Sequence, residues 1–225
     1  MATDLRLVVF DVDGTLVDSQ ADIVGSMTDA FDAAGLAVPA RADILSIVGL
    51  SLPQAMARLA PDADGDGLVS AYKAAYVARR AAAGARASSP LYPGARAALE
   101  RLQAEPNTLL GIATGNSRRG LDLLLDAYDL RPYFVTQQVA DFHPSKPHPA
   151  MLLAALNEAG VEADQAVMIG DTTFDMDMAG AAGMAFLGVS WGYHPAAHLT
   201  KAAAVLDDFD GLDLALAQLW EREDG

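Results

Sequence analysis

Five of the six residues at positions 5–10 are apolar, and the run stops at Asp11-Val12-Asp13-Gly14-Thr15. A short apolar run bounded by a turn signal predicts a strand buried on both faces. Comparable runs recur at 108–113, 134–139, 166–169 and 185–189, with a shorter one near 203–206. Helical patterns separate them at 94–104, 118–128, 147–159 and 174–182, and a terminal helix follows. Such alternation predicts a parallel sheet covered by helices on both faces.

The interval 17–89 breaks the rhythm. It contains helical patterns at 21–35, 42–48, 52–60 and 67–84, but no strong strand. The turn after Asp13 bounds it on one side and the Ser88-Ser89-Pro90 linker signal on the other. The expected fold class is therefore α/β: a Rossmann-like, doubly wound parallel sheet core (1–16 and 90–225) with an inserted α-helical cap domain (17–89) over the strand ends.

Composition narrows the function classes. With 225 residues the chain can bury about 70 to 75% of its unfolded surface, enough for a real core. A net charge of −15 argues against a nucleic-acid or anionic-membrane partner, because phosphate backbones call for clustered Lys and Arg. Zero cysteines exclude disulfides, thiolate catalysis and thiolate zinc sites, and suit a reducing cytoplasm. Asp4 and Arg6 ahead of so short an apolar run argue against a signal peptide or membrane span, so a cytoplasmic location is expected.

The chemistry gathers at predicted strand ends, where ligands bind in open α/β sheets. Asp11 and Asp13 follow the first strand, and Thr114-Gly115-Asn116 follows the second. Lys146 stands in His-Pro-Ser-Lys-Pro-His-Pro, and Asp171 and Asp175 follow Ile169-Gly170. Asp11, Asp13 and Asp171 brought together would repel one another and take up protons unless a hard cation such as Mg²⁺ held them ionised. Pro147 and Pro149 predict a helix start that places Lys146 toward the site.

This ordered set resembles the four motifs of the haloacid dehalogenase superfamily, in particular its phosphoglycolate phosphatase-like subgroup with a helical cap. The resemblance implies a Mg²⁺-dependent phosphatase acting on a small phosphorylated metabolite. Asp11 would be the nucleophile, giving an aspartyl phosphate, and Asp13 the acid/base, its carbonyl also binding the metal. Thr114, Gly115 and Asn116 would hold the phosphoryl group and substrate, Lys146 would offset charge, and Asp171 with Asp175 would hold or support the metal. The second acid, Asp13, favours phosphate over carbon–halogen chemistry. The segment Gly49-Leu50-Ser51 resembles the cap loop that enters the active site in that subgroup, and Trp191-Gly192-Tyr193 resembles its W-G-Y segment. That aromatic pair is expected to pack rather than bind ligand.

Two other patterns carry less. Asp62-Ala63-Asp64-Gly65-Asp66-Gly67 begins like a calcium loop, but Lys73 occupies its twelfth position, where a bidentate Glu is needed. His194 and His198 are four apart, yet Pro195 interrupts them and no acid completes a metal motif, so both are expected at the surface; His143 and His148 are expected in a loop role. A phosphosugar mutase of the β-phosphoglucomutase type shares the four motifs and is the alternative enzyme. A phospho-accepting receiver-like module is the non-enzymatic alternative, with the wrong motif order. A monomer or homodimer is expected.

Overall fold

The computed structural model describes residues 5–223. Strands β1 (Arg6–Phe10), β2 (Thr108–Thr114), β3 (Phe134–Val139), β4 (Ala166–Gly170), β5 (Ala185–Val189) and β6 (Ala204–Leu206) form one sheet in the order β3-β2-β1-β4-β5-β6. Every pairing is parallel. The apolar run of β1 explains its central place: Leu7 and Val9 pack into the core on one face, Val8 and Phe10 into the core on the other. Arg6 fits the run because its guanidinium lies 4.5 Å from the centre of the Trp220 ring. The sheet's chain order reverses beside β1, which makes the β1–β2 and β1–β4 ends the expected ligand crevice.

The cap consists of α1 (Gln20–Ala33), α2 (Arg41–Ser46), α3 (Leu52–Leu59) and α4 (Gly65–Ala83), with the short α5 (Ala85–Ser88) leading back to the core. Among 17–89 the described residues form only isolated bridges of Val17, to Asp13 and to Leu91, so the absence of a strand there follows the sequence pattern. Met27, Phe31, Ile44, Met56 and Leu68 make a separate apolar cluster that takes in Phe174 and Tyr193 from the core. Asp64 caps α4, accepting from the Gly67 N–H at 3.1 Å, so the acidic loop is a helix start.

Helices α6 (Ala95–Ala104), α7 (Arg118–Tyr128) and α10 (Leu212–Glu223) cover one sheet face, and α8 (Ala150–Ala159) and α9 (Thr173–Ala181) the other. One expectation needs correcting. The helix predicted from 147 begins at Ala150, with Pro149 at its N-cap. The His148 N–H bonds back to the Ser145 carbonyl at 3.0 Å, so a turn occupies the Pro-rich segment. Lys146 therefore lies in the loop ahead of the helix rather than at the helix start.

Candidate active site

The strand ends converge as the sheet order requires. The Asp11 N–H donates to the Ile169 carbonyl at 2.9 Å, extending the β1–β4 ladder to the nucleophile candidate itself. The Lys146 ammonium, wholly buried, donates to Asp11 Oδ1 and to Asp175 Oδ1, each at 2.7 Å. Asp171 is buried with both oxygens engaged: Thr15 Oγ1 donates to Oδ1 at 3.2 Å and the Tyr193 N–H to Oδ2 at 2.7 Å. Gly14 makes the approach of Thr15 possible: it has φ +86°, and any side chain there would overlap the Asp171 carboxylate.

Asp11 Oδ2 is buried and has no hydrogen-bond partner. Asp11, Asp171 and Asp175 each bring an oxygen within 4.8 Å of the others. Burial pushes the Asp11 carboxyl up to about 7 against the pull of Lys146, with Asp175 adding to the rise. Burial also raises Asp171 well above the carboxylate range, and neighbouring Asp175 and Asp11 reinforce it. For Lys146 burial disfavours the charge, but Asp11 and Asp175 outweigh it and hold the ammonium. Three buried carboxylates face one buried ammonium, and an orphaned oxygen is left over. A hard divalent cation with oxygen ligands fits this donor set.

The two oxygens of Asp175 are already committed. Oδ1 accepts from Lys146, while Oδ2 accepts from the Thr172 N–H at 3.1 Å and Thr172 Oγ1 at 2.7 Å, closing a capping box at the start of α9. Asp175 thus orients Lys146 and anchors the helix at once.

Asp13 takes no part in that cluster. Ser19 Oγ donates to its Oδ1 at 2.5 Å and Asn116 Nδ2 to its Oδ2 at 2.6 Å. Burial raises its pKa despite those bonds and the charges of Arg80 and Lys146. Asn116 therefore grips Asp13. Thr114 is fully buried, and its Oγ1 accepts the Asn116 N–H at 3.2 Å, shaping the turn that presents Gly115.

Between this edge and the cap lies a cavity of about 830 Å³, with Asp11, Asp13, Thr114, Gly115 and Asn116 on the core side. Gly49, Leu50 and Ser51 line it from the cap, as do Tyr72, Tyr76 and Arg80 of α4. The cap loop is pressed onto the core at Gly115, where a Cβ would lie 2.8 Å from the carbonyl oxygens of both Gly49 and Leu50. The Ser51 N–H adds a bond to Ser145 Oγ at 2.7 Å.

His194 is not at the surface as expected. Its Nδ1 accepts the Thr173 N–H at 3.1 Å, which leaves the proton on Nε2 to be donated to the Ser46 carbonyl of the cap at 3.1 Å. Burial lowers its pKa, favouring the neutral ring that this bridge needs. Tyr193 does more than pack: besides the Asp171 bond, its hydroxyl accepts the Ser19 N–H at 3.0 Å. Trp191 does pack, tilted against Phe209 with ring centres 4.8 Å apart. His143 lies against Gln138 Oε1 at 2.8 Å in the loop after β3. Thr15, Ser19 and Tyr193 lie in segments the sequence singles out but gain their roles only from the structure, and Arg80 escapes a motif reading altogether. The first two sit inside the Asp11–Ser19 segment, while Arg80 has no sequence signal to separate it from Arg79.

The sequence model of the haloacid dehalogenase-like hydrolases matches residues 8–189. The chain is 35% identical over 208 residues to "Probable phosphatase IndB" of Dickeya dadantii, covering 90% of each protein. It is also 35% identical over 218 residues to a phosphoglycolate phosphatase of Rhodospirillum rubrum, covering 92% of this chain and 89% of that one. Among solved structures, a hydrolase from Pseudomonas syringae superposes with a TM-score of 0.83 at 26% identity, over 95% of this chain and 98% of that one. Among the described residues, no helix is long and apolar enough to cross a membrane.

Proposed function

Because the chain belongs to the haloacid dehalogenase-like hydrolase family, we propose that it is a Mg²⁺-dependent phosphomonoesterase that works through an aspartyl phosphate on Asp11. The observation that carries this reading is the buried, unpartnered Asp11 Oδ2 at the edge of a cavity shared with Asp13. Asp11, Asp171 and the Asp13 carbonyl would hold the metal, with Asp175 supporting through Lys146. When bound, Mg²⁺ supplies the positive charge that keeps Asp11 ionised beside a phosphate dianion.

The chain's own groups divide the remaining work. An Asp11 oxygen forms the bond to phosphorus as the ester oxygen departs, and Asp13 gives that oxygen its proton. A raised pKa suits Asp13 to hold this proton, and Ser19 with Asn116 keeps the carboxyl aimed. Asp13 then takes a proton from water, whose oxygen attacks phosphorus and returns Asp11 as a carboxylate. Lys146 offsets the repulsion between carboxylate and phosphate without changing protonation state. Thr114 and Gly115 position phosphoryl oxygens, and the cap, residues 17–89, closes over the ester and excludes water.

The cavity volume falls in the range of small-molecule sites, so the substrate is a small phosphorylated metabolite, with phosphoglycolate a first compound to assay. Phosphate release should require Mg²⁺, stop with EDTA, and fall by about 10³-fold or more in Asp11→Asn with the fold retained. Isomerised phosphosugar without phosphate release would overturn the hydrolase reading in favour of a mutase.

A further inference from the structure

We propose that Arg80 of α4, together with Tyr72 and Tyr76, forms a second anion subsite, so that the substrate is a short phosphomonoester carrying another oxyanion group. This deepens the phosphomonoesterase reading and rests on it. Arg80 is only 8% exposed, and it lines the cavity that Asp11 and Asp13 also line. Its Nη1 donates to the Tyr76 hydroxyl at 3.0 Å, and its guanidinium stands 5.4 Å from the centre of the Tyr76 ring. Nη2 is buried and has no hydrogen-bond partner.

A guanidinium held out of water with a donor unmet is costly unless something completes it. The planar fork of Arg matches carboxylate and phosphate oxygens, which makes an oxyanion the fitting complement. Tyr72 and Tyr76 stack with ring centres 6.0 Å apart, and burial raises both hydroxyl pKa values, so both remain protonated at neutral pH. Lys73 and Arg119 also line the cavity, giving it three of the chain's fifteen Lys and Arg residues. Arg80 and Asp13 line the same cavity of about 830 Å³, so the span between the two subsites suits a small molecule.

The competing use of Arg80 is internal pairing with Asp22 of α1, whose Oδ2 is also buried and unpartnered. The two uses separate on substrate choice. With Mg²⁺ present, kcat/KM is compared for ethyl phosphate, phosphoglycolate and ethane-1,2-diol bisphosphate, which differ in carrying no second charge, a carboxylate or a second phosphate. The wild-type protein should prefer at least one charged compound over ethyl phosphate. Arg80→Ala should lower that preference by about 10- to 100-fold, mainly through KM. Arg80→Lys should lower it less than Arg80→Gln, a comparison that stands if the alanine variant does not fold. Which charged compound loses more identifies the oxyanion as carboxylate or phosphate. Turnover of ethyl phosphate with no charged-substrate preference, or a preference unchanged in the variants while their Tm falls, overturns the subsite alone. No turnover of any of the three esters overturns the phosphatase reading and the subsite with it.

Discussion

Asp175 holds the Lys146 ammonium at 2.7 Å with one oxygen while the other closes the α9 capping box through Thr172. One carboxylate therefore ties the position of a buried charge to the start of a helix. The lysine in turn reaches Asp11 at the same distance, so helix, lysine and candidate nucleophile form a single chain of charge-assisted bonds.

Removing the middle of that chain should be costly twice. Lys146→Ala leaves Asp11 and Asp175 buried without their partner, and a loss of about 3–5 kcal/mol is expected. In the same variant kcat/KM should fall by about 10²–10³-fold, because a preorganised charge is lost from a dry site. Chemical denaturation beside phosphate-release kinetics checks both. A variant as stable and as fast as wild type would contradict the Lys146 geometry.

Asp171 and Asp175 should separate when metal binding is measured directly. Asp175→Asn keeps an oxygen for the capping box and loses the pull on Lys146. Asp171→Asn removes a carboxylate from the cluster with Asp11 and leaves the Lys146 bonds in place. Calorimetric titration with Mg²⁺ should show the Asp171 variant weakened by about tenfold more than the Asp175 variant. The Asp175 variant should remain slow at saturating Mg²⁺. Equal losses of affinity would return Asp175 to the ligand set.

Stability should carry a pH signature that the metal erases. Asp11 and Asp171 have raised pKa values in the folded chain, Asp11 moving from 3.8 to about 7. Between those values the folded state binds more protons than the unfolded state. The unfolding free energy therefore falls as pH rises through that window and levels off above the folded pKa. Bound Mg²⁺ satisfies the ionised forms, so the Tm difference between Mg²⁺ and EDTA should widen from pH 4.5 to pH 8. A difference that narrows over this range would contradict the buried-carboxylate account.

Gly115→Ala tests how tightly the cap must seat. The added Cβ would meet two backbone carbonyls of the cap loop, which cannot swing aside like a side chain. A rise in KM and a fall in kcat/KM of about 10- to 100-fold are expected from the misplaced cap, with little change in Tm. Steady-state kinetics and a thermal melt on the same sample decide it.

The core is legible in the sequence because a strand buried on both faces must be apolar throughout, so Leu7–Phe10 and the other runs stand out, as do acids that end them. The position of Lys146 is less legible, since Pro147 and Pro149 read as a first helical turn yet form a separate turn ahead of Ala150. His194 is hidden for another reason: the Thr173 N–H and the Ser46 carbonyl that hold it are main-chain groups that any residue could supply, and only the Thr173 hydroxyl, 3.3 Å from Nδ1, is a side-chain partner. Arg80 depends on helix rotation. Arg79 beside it turns outward to Asp29, and only packing of α1 on α4 decides which of the two faces the cavity.

The central place of β1 sets an order of events during synthesis. Thr15 and its partner Asp171 are 156 positions apart, and β4, which Asp171 directly follows, is a neighbour that β1 must wait for. At about 5–20 residues per second, roughly 8 to 30 seconds pass between their emergence from the ribosome. A nascent chain thus displays Asp11 and Asp13 long before it owns the site around them, and the site can close only once β4 and Asp171 have emerged.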